Sequence, residues 1–183
     1  MRELQVATLP GSEPEIGRWL WAMEEVRRRT LRLVDGLDQR SLDWEGPDGR
    51  ENAIGTLLHH IALVEMEWLF LDVLQQNLPQ RVKADFPHEA EDAEGRLTRI
   101  LSVPMAQHLG CLERSRAIFL DAFRGMSIDD WRRLRASAAN ADHYATPEWV
   151  VFHLVEHEAG HAFQISALEG PLRTLLCLGA PSP

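Results

Sequence analysis

The sequence is poor in cysteine and in positive charge. Only two cysteines, Cys111 and Cys177, occur in 183 residues, which excludes a disulfide framework and a zinc site built from cysteines. Lysine and arginine number 19 against 28 acids, for a net charge of −9. Such a chain has no general attraction for nucleic acid or for an anionic membrane surface. The two basic clusters, residues 27–29 and 132–135, are expected on solvated surfaces.

Long apolar runs are also lacking. The first 15 residues contain no apolar stretch of the kind found in signal peptides. No segment approaches the roughly 20 apolar residues that a membrane span needs. We therefore expect a cytoplasmic protein with reduced thiols and with neither a membrane nor a nucleic acid as partner.

Helical periodicity dominates the chain, and no segment alternates with the period of a strand. We predict four long helices, over residues 13–34, 52–76, 104–124 and 146–168. Long loops, residues 78–103 and 132–145, should connect helix 2 to helix 3 and helix 3 to helix 4, with a short helix near residue 99. With 45% hydrophobic residues, the chain can bury one sizeable core. The expected fold is all-α, a four-helix bundle in a single domain over residues 1–183.

Several helix ends carry capping signals. Ser12 with Glu15 has the pattern of a capping box at the start of the first helix. Thr146 before Pro147 predicts the start of the fourth helix, and Gly170-Pro171 predicts its end. The segment 127–130 is expected to cap one more short helical turn.

Three histidines form a stripe on the predicted fourth helix. His153, His157 and His161 are spaced four residues apart and therefore share one face. Apolar residues border this stripe, so it should face the interior of the bundle. A buried imidazole needs a hydrogen-bond partner or a metal ion, and neutral imidazole binds zinc, nickel, copper and iron well.

Geometry limits which of these histidines can share an ion. The rise from His153 to His161 is roughly 12 Å, too long for both to bind one ion at about 2.1 Å. The pair is therefore His153/His157 or His157/His161, and a third ligand must come from another helix. His59 or His60, in the middle of the second helix, is available for that role. The remaining histidines are interpreted as ordinary interior residues: His88, His108 and His143.

The segment His157-Glu-Ala-Gly-His161 also matches H-E-x-x-H, the zinc motif of many metalloproteases. In that chemistry Glu158 would be the general base for a zinc-bound water. The neighbouring sequence argues against a protease. No further Gly and His follow the motif, no downstream carboxylate offers a third ligand, and no strands precede it. Glu158 is also about 100° around the helix from His157.

With these motifs in place, the chain resembles the DinB/YfiT-like superfamily of metal-binding four-helix bundles. Residues 52–65 are similar to the family's second-helix segment and residues 153–165 to its fourth-helix segment, with a weaker similarity at residues 42–44. The resemblance implies that the metal ligands are His60, His157 and His161. Many members have a second histidine beside the last ligand, followed by Arg-Gly-Gln, whereas here Gly160 and Ala162-Phe163 flank His161. His153 then becomes a residue that orients His157 or a bound water.

The resemblance also implies a function. It predicts a divalent-metal-dependent enzyme, a thiol S-transferase or a hydrolase, that acts on a small molecule. The ion would be zinc or nickel, with iron as a further option, a low-molecular-weight thiol could be a co-substrate, and the protein would be a homodimer. No catalytic base can be identified from the sequence. The alternatives are a non-catalytic metal-binding or stress-response protein and a metal-free scaffold in which the histidines form a hydrogen-bonded network.

Overall fold

The computed structural model describes residues 3–139 and 143–179, with the backbone alone from residue 169 onward. The described part is predominantly helical, as predicted. It contains seven α-helices: α1 (Pro14–Val34), α2 (Gln39–Leu42), α3 (Ile54–Glu67), α4 (Gln80–Asp85), α5 (Met105–Ala122), α6 (Ile128–Trp131) and α7 (Pro147–Gly179). A π-helical segment, Trp68–Val73, directly continues α3. Two short strands, β1 (Arg135–Ala136) and β2 (Tyr144–Ala145), pair antiparallel.

The four long helices surround a shared hydrophobic core. Helix α1 packs against α7, α3 packs against α5, and α3 also contacts α7. Each helix contributes side chains that are almost fully buried, including Ile16, Leu20, Met23, Leu57, Leu58, Ile61, Leu112, Phe119, Val150, Leu154 and Ile165. The seam between α3 and α7 positions the histidines that the sequence analysis singled out.

Helix α3 lies in the centre of the fold. Every residue from Ile54 to Met66 is buried, which explains why this helix is apolar on all sides. With its π-helical continuation, Ile54–Val73, it has the length and mean hydropathy (1.3) of a membrane span, but 83% of that window is buried inside the protein. The expectation that no segment approaches a span was therefore wrong for this helix, whose apolar surface is covered by protein.

Two of the predicted helix ends were wrong and two are confirmed. Among the described residues, Glu13 at the N-cap of α1 makes no side-chain capping bond, so the expected Ser12 box does not form. Helix α7 continues through Gly170-Pro171 to Gly179, although a proline within a helix removes one backbone hydrogen bond and disfavours the helix. Thr146 Oγ1 accepts from the Trp149 amide at 3.1 Å, and Ser127 caps α6 as predicted.

The two long connections are more ordered than predicted. The first contains α4 near its start, at Gln80–Asp85, and not a helix near residue 99. The second contains the β1–β2 pair, in which Arg135 is opposite Ala145. The predicted second helix, residues 52–76, changes to π-helical geometry after Glu67. A π-helical turn is often found beside a functional site, and this one lies two turns from His60 along α3.

Candidate metal centre

Three histidines from two helices meet at the α3–α7 seam. The Nε2 atom of His157 is 3.1 Å from Nε2 of His60 and 3.1 Å from Nε2 of His161. One ring nitrogen from each of the three lies within 4.8 Å of the others, an arrangement that could hold a metal ion. These are the three histidines that the family resemblance selected.

The helices fix the positions of these side chains. His60 belongs to the fully buried α3 and is only 9% exposed, whereas His157 and His161 are half-buried on successive turns of α7. Leu154 and Ile165 on α7 are buried in the core and orient this face of the helix toward α3. Because residues four apart share a helix face, His157 and His161 both reach the imidazole of His60.

The three imidazoles are neutral at physiological pH. Burial, reinforced by the neighbouring imidazoles, lowers the pKa of His60 to about 4 and that of His157 to about 3. Burial also lowers the pKa of His161, while Gln164 and Glu158 act in the opposite direction. Neutral imidazole, with a lone pair on one ring nitrogen, is the form that binds metal ions.

A hydrogen-bond network alone satisfies this cluster poorly. Nδ1 of His161 is 2.9 Å from Oε1 of Gln164, so the proton of His161 resides on Nδ1 and its Nε2 carries a lone pair. A single N–H on Nε2 of His157 would then have to serve both of its neighbours, His60 and His161. A cation bound by three lone pairs removes this conflict, so the donor set fits a metal ion.

The distances agree with such a site. Three nitrogens at about 2.0–2.1 Å from a tetrahedral ion are roughly 3.4 Å apart. Two of the three contacts are 3.1 Å, and the whole set spans no more than 4.8 Å. Gln164 would act as the outer partner that fixes the ring of His161. Three protein ligands leave one position for a water or a substrate atom, as in catalytic zinc sites.

The other candidate ligands lie outside the cluster. The ring of His153 stacks on Trp149 at 5.1 Å, contacts Trp68 at 4.8 Å, and is 5.9 Å from the ring of His157. His59 packs against Phe86, with ring centroids 5.4 Å apart, away from the His60 cluster. His153 therefore lies beside the site, where the sequence analysis expected it.

The remaining histidines have three different environments. His108 is buried, and its Nε2 finds no hydrogen-bond partner among the described residues. His88 is exposed, so its interpretation as an interior residue was wrong. His143 is half-buried, and its Nε2 lies 2.9 Å from Oδ1 of the buried Asp72.

Glu158 is not placed to act as the base of a metalloprotease. It is 3% exposed, and its two oxygens lie 2.8 Å from Nε of Arg27 and 3.1 Å from a guanidinium nitrogen of Arg116. The same two arginines bind Glu65 at 2.6 and 2.8 Å. The H-E-x-x-H match therefore does not mark a protease site. The two histidines face the cluster, whereas the glutamate faces the interior of the fold on another side of the helix.

This ion-pair network was missed by the sequence analysis. Arg27 was expected on a solvated surface together with Arg28 and Arg29, but it is only 5% exposed, while its two neighbours are exposed. The available signal was Glu65, an acid within an otherwise apolar helix. Such an acid requires a buried partner, although the sequence does not identify which arginine supplies it.

Two cavities are lined by side chains next to the cluster: Trp149, which stacks on His153, lines one, and Gln164, which contacts His161, lines the other. A cavity of about 370 Å³ is lined by Trp68, Leu134, His143, Tyr144, Ala145, Thr146 and Trp149. A second cavity, of about 250 Å³, includes Gln164, Phe163 and Trp44 in its lining.

Burial, together with Glu89 and Glu91, raises the pKa of the half-buried Glu67 to about 6. The loop between α4 and α5 therefore lies near Glu67, and β2 lines the first of the two cavities.

Comparison with known proteins gives two matches. A sequence profile described as the DinB superfamily matches residues 22–165, which include all three clustered histidines. A Bacillus subtilis (strain 168) protein named uncharacterized protein YkkA is 21% identical over 161 residues. That alignment covers 85% of this chain and 87% of the Bacillus protein. The profile match extends from the middle of α1 to Ile165 on α7.

Proposed function

Since this chain belongs to the DinB superfamily, we propose that it is a divalent-metal-dependent enzyme, a thiol S-transferase or a hydrolase, whose ion is held by His60, His157 and His161. The observation that supports this proposal is the convergence of three neutral imidazoles at Nε2–Nε2 distances of 3.1 Å. Their lone pairs find a common partner in a cation more readily than in one another.

The chemistry follows from the number of ligands. A bound divalent ion with an open position lowers the pKa of a water or a thiol and so supplies a nucleophile at neutral pH. Gln164 keeps the proton of His161 on Nδ1, which leaves Nε2 free to coordinate. The stacked rings of Trp149 and His153 offer an apolar surface beside the site for the body of a small substrate.

The finer features of the family belong to the same proposal. Helices α1, α3, α5 and α7 would form the four-helix bundle, with α2, α4 and α6 as parts of its connections. We propose zinc or nickel as the ion, a cytoplasmic location and a homodimeric assembly, with a small-molecule substrate and no nucleic acid or membrane partner. These features agree with the acidic charge and with the three-histidine ligand set.

Metal analysis tests the proposal most directly. Protein purified without a histidine tag is expected to contain close to one equivalent of zinc or nickel per chain, measured by elemental analysis. His157→Ala should lose the metal, because His157 contacts both other ligands. His88→Ala is the control, since His88 is an exposed histidine that lies outside the cluster. Equal metal contents in the wild type and His157→Ala would contradict the proposal.

The second candidate function is a metal-binding or stress-response protein without turnover, which would use the same three histidines. Assays of the metal-loaded protein with small thiols and activated esters separate the two functions. Turnover that is lost with chelator and restored by added metal supports the enzyme. Stoichiometric metal binding without turnover of any such substrate supports the second function.

A further inference from the structure

Four buried charged residues form a closed ring of ion pairs in the interior of the fold. Arg27 binds Glu65 at 2.6 Å, Glu65 binds Arg116 at 2.8 Å, Arg116 binds Glu158 at 3.1 Å, and Glu158 binds Arg27 at 2.8 Å. All four side chains are at most 6% exposed. We call these four residues the charge ring. Its formal charges cancel, with two arginines and two glutamates.

Each long helix contributes one member of the charge ring. Arg27 belongs to α1, Glu65 to α3, Arg116 to α5 and Glu158 to α7. Two of the members follow metal-ligand candidates in the sequence, because Glu158 is adjacent to His157 and Glu65 is five residues after His60. The ring therefore fixes α3 and α7 relative to each other close to the residues that carry the clustered histidines.

The arginines also bind the backbone of neighbouring helices. Arg27 donates to the carbonyl of Leu112 on α5 at 2.6 Å, and Arg116 donates to the carbonyl of Met23 on α1 at 2.9 Å. Arg116 further contacts the half-exposed Glu24 at 2.8 Å. These bonds leave little freedom for either guanidinium, so the carboxylate of Glu158 is held at a defined position.

Burial of four charges is costly, and hydrophobic residues of the same volume often stabilise a fold equally well or better. Burial alone would raise the pKa of Glu65, but Arg116 and Arg27 outweigh this effect and lower it. Glu65 thus remains ionised in the interior. The charge ring is thus costly to bury, and one of its members is adjacent in sequence to a candidate metal ligand. This combination suggests a role beyond stability.

We infer that Glu158 is a positioning residue for the metal site: through the charge ring it sets the rotation of α7 that directs His157 and His161 toward His60. This inference rests on the proposed metal-binding function. It assigns to the glutamate of the H-E-x-x-H motif a task other than that of a general base.

The geometry of α7 explains how this works. Glu158 is about 100° around the helix from His157, so a carboxylate fixed in the interior holds the two histidines on the side of the seam. A rotation of α7 by a few tens of degrees would separate their Nε2 atoms from that of His60.

The test compares two substitutions that flank His157. Glu158→Gln keeps the size of the side chain but removes its charge, and Glu156→Gln makes the same change at an exposed position on the other side of His157. The Kd for Zn²⁺ is measured by competition with a chromophoric chelator, and the visible absorption of bound Co²⁺ reports the ligand geometry. Loss of an outer partner weakens metal binding by about 10–100-fold, and we expect this for Glu158→Gln, with an altered Co²⁺ spectrum. Glu156→Gln should match the wild type.

The possible outcomes separate this inference from the proposed function. A Kd of Glu158→Gln within about threefold of the wild-type value, with an unchanged Co²⁺ spectrum, overturns the positioning role and leaves the metal site intact. Failure of the wild type to bind Zn²⁺ overturns both. If Glu158→Gln does not fold, the double variant Arg27→Gln/Glu158→Gln, which removes one charge of each sign, is measured in its place. It should fold and bind Zn²⁺ more weakly, and wild-type affinity in this variant overturns the inference.

Discussion

The chemistry of the site depends on imidazoles that the fold keeps neutral. Burial holds the pKa of His60 near 4 and that of His157 near 3, although an exposed imidazole titrates at 6.5. Below pH 6.5 the unfolded chain therefore binds protons that the folded chain does not. This difference makes stability depend on pH even without a metal ion.

We expect the free energy of unfolding of the metal-free protein to fall as the pH decreases from 7 to 4.5. The contribution of these histidines is complete above pH 6.5 and is lost progressively as the pH falls through about 4 for His60 and about 3 for His157. The shift of His60 alone corresponds to roughly 3 kcal/mol over the whole range. Urea unfolding of the chelator-treated protein at several pH values measures the effect.

Glu67 provides a check on the sign of this dependence. Its pKa is raised to about 6, so its contribution is present below pH 4.5 and is lost as the pH rises through 6. That slope opposes the slope of the histidines, and Glu67→Gln should therefore make the acid destabilisation steeper. A free energy of unfolding that is equal at pH 7 and pH 4.5 in both proteins would be incompatible with neutral buried histidines.

Part of the site could be predicted from residue spacing alone. His157 belongs to both possible pairs on its helix, so it was predicted without reference to any family. Spacing could not choose between His59 and His60, because these neighbours lie on a helix that is apolar on all sides. Only the family resemblance favoured His60, and the structure brings His60 and not His59 to the cluster.

At the scale of the element, α7 has a weak point beside the site. Gly160 precedes His161 in the middle of this helix, and a Cβ built at Gly160 would meet no described atom within 4 Å. Glycine in a helix interior costs about 0.5–1 kcal/mol relative to alanine. The residue is exposed and has helical backbone, so nothing in the local structure requires glycine there.

Gly160→Ala is accordingly expected to stabilise the protein by about 0.5–1 kcal/mol and to leave the Kd for Zn²⁺ unchanged. Gly55→Ala is the contrasting variant. A Cβ at Gly55 would lie 3.0 Å from Nε2 of His108 and 3.3 Å from the carbonyl oxygen of Ile100, so α3 and α5 would have to separate slightly. Thermal unfolding should rank the proteins Gly160→Ala, wild type, Gly55→Ala in decreasing stability. Destabilisation by Gly160→Ala would show that the glycine has a role in the fold.

The long helices were predictable because their apolar residues recur with helical period, whereas some details of their ends were not. The capping box at Ser12 is a local pattern that does not form, and the preceding segment instead folds back on the first turn of α1, where the Leu9 amide donates to the carbonyl of Gly17 at 3.1 Å. The π-helical segment after Glu67 depends on a shift of backbone hydrogen bonds by one residue, which leaves no signature in the apolar pattern.

At the scale of the whole molecule, the charge ring connects all four long helices. Its members are far apart in the sequence, since Arg27 and Glu158 are separated by 131 positions. A sequence pattern records periodicity within one element, so it could not pair residues across four helices. The assignment of Arg27 to a solvated cluster failed for this reason, because its neighbours Arg28 and Arg29 do fit a solvated face.

Removal of one cation from the ring should destabilise the protein strongly. Arg116→Gln leaves Glu65 and Glu158 facing a single arginine in the interior, and breaking a buried ion pair in this way costs about 3–5 kcal/mol. The surface provides a matched control, because Arg132 also joins a distant glutamate, Glu15, at 2.6 Å, but both residues are exposed. Arg132→Gln should cost about 0–1 kcal/mol.

Urea unfolding of the metal-free proteins at pH 7 measures both changes in the free energy of unfolding. Coincident transitions of Arg116→Gln by far-ultraviolet circular dichroism and tryptophan fluorescence would show that the four helices unfold as one unit without the intact ring. Separate transitions would show that the ring couples helices that otherwise unfold independently. A loss for Arg116→Gln no larger than that for Arg132→Gln would mean that the buried charges are not held in the tight geometry described above, and the assignment of a positioning role to Glu158 would lose its structural basis.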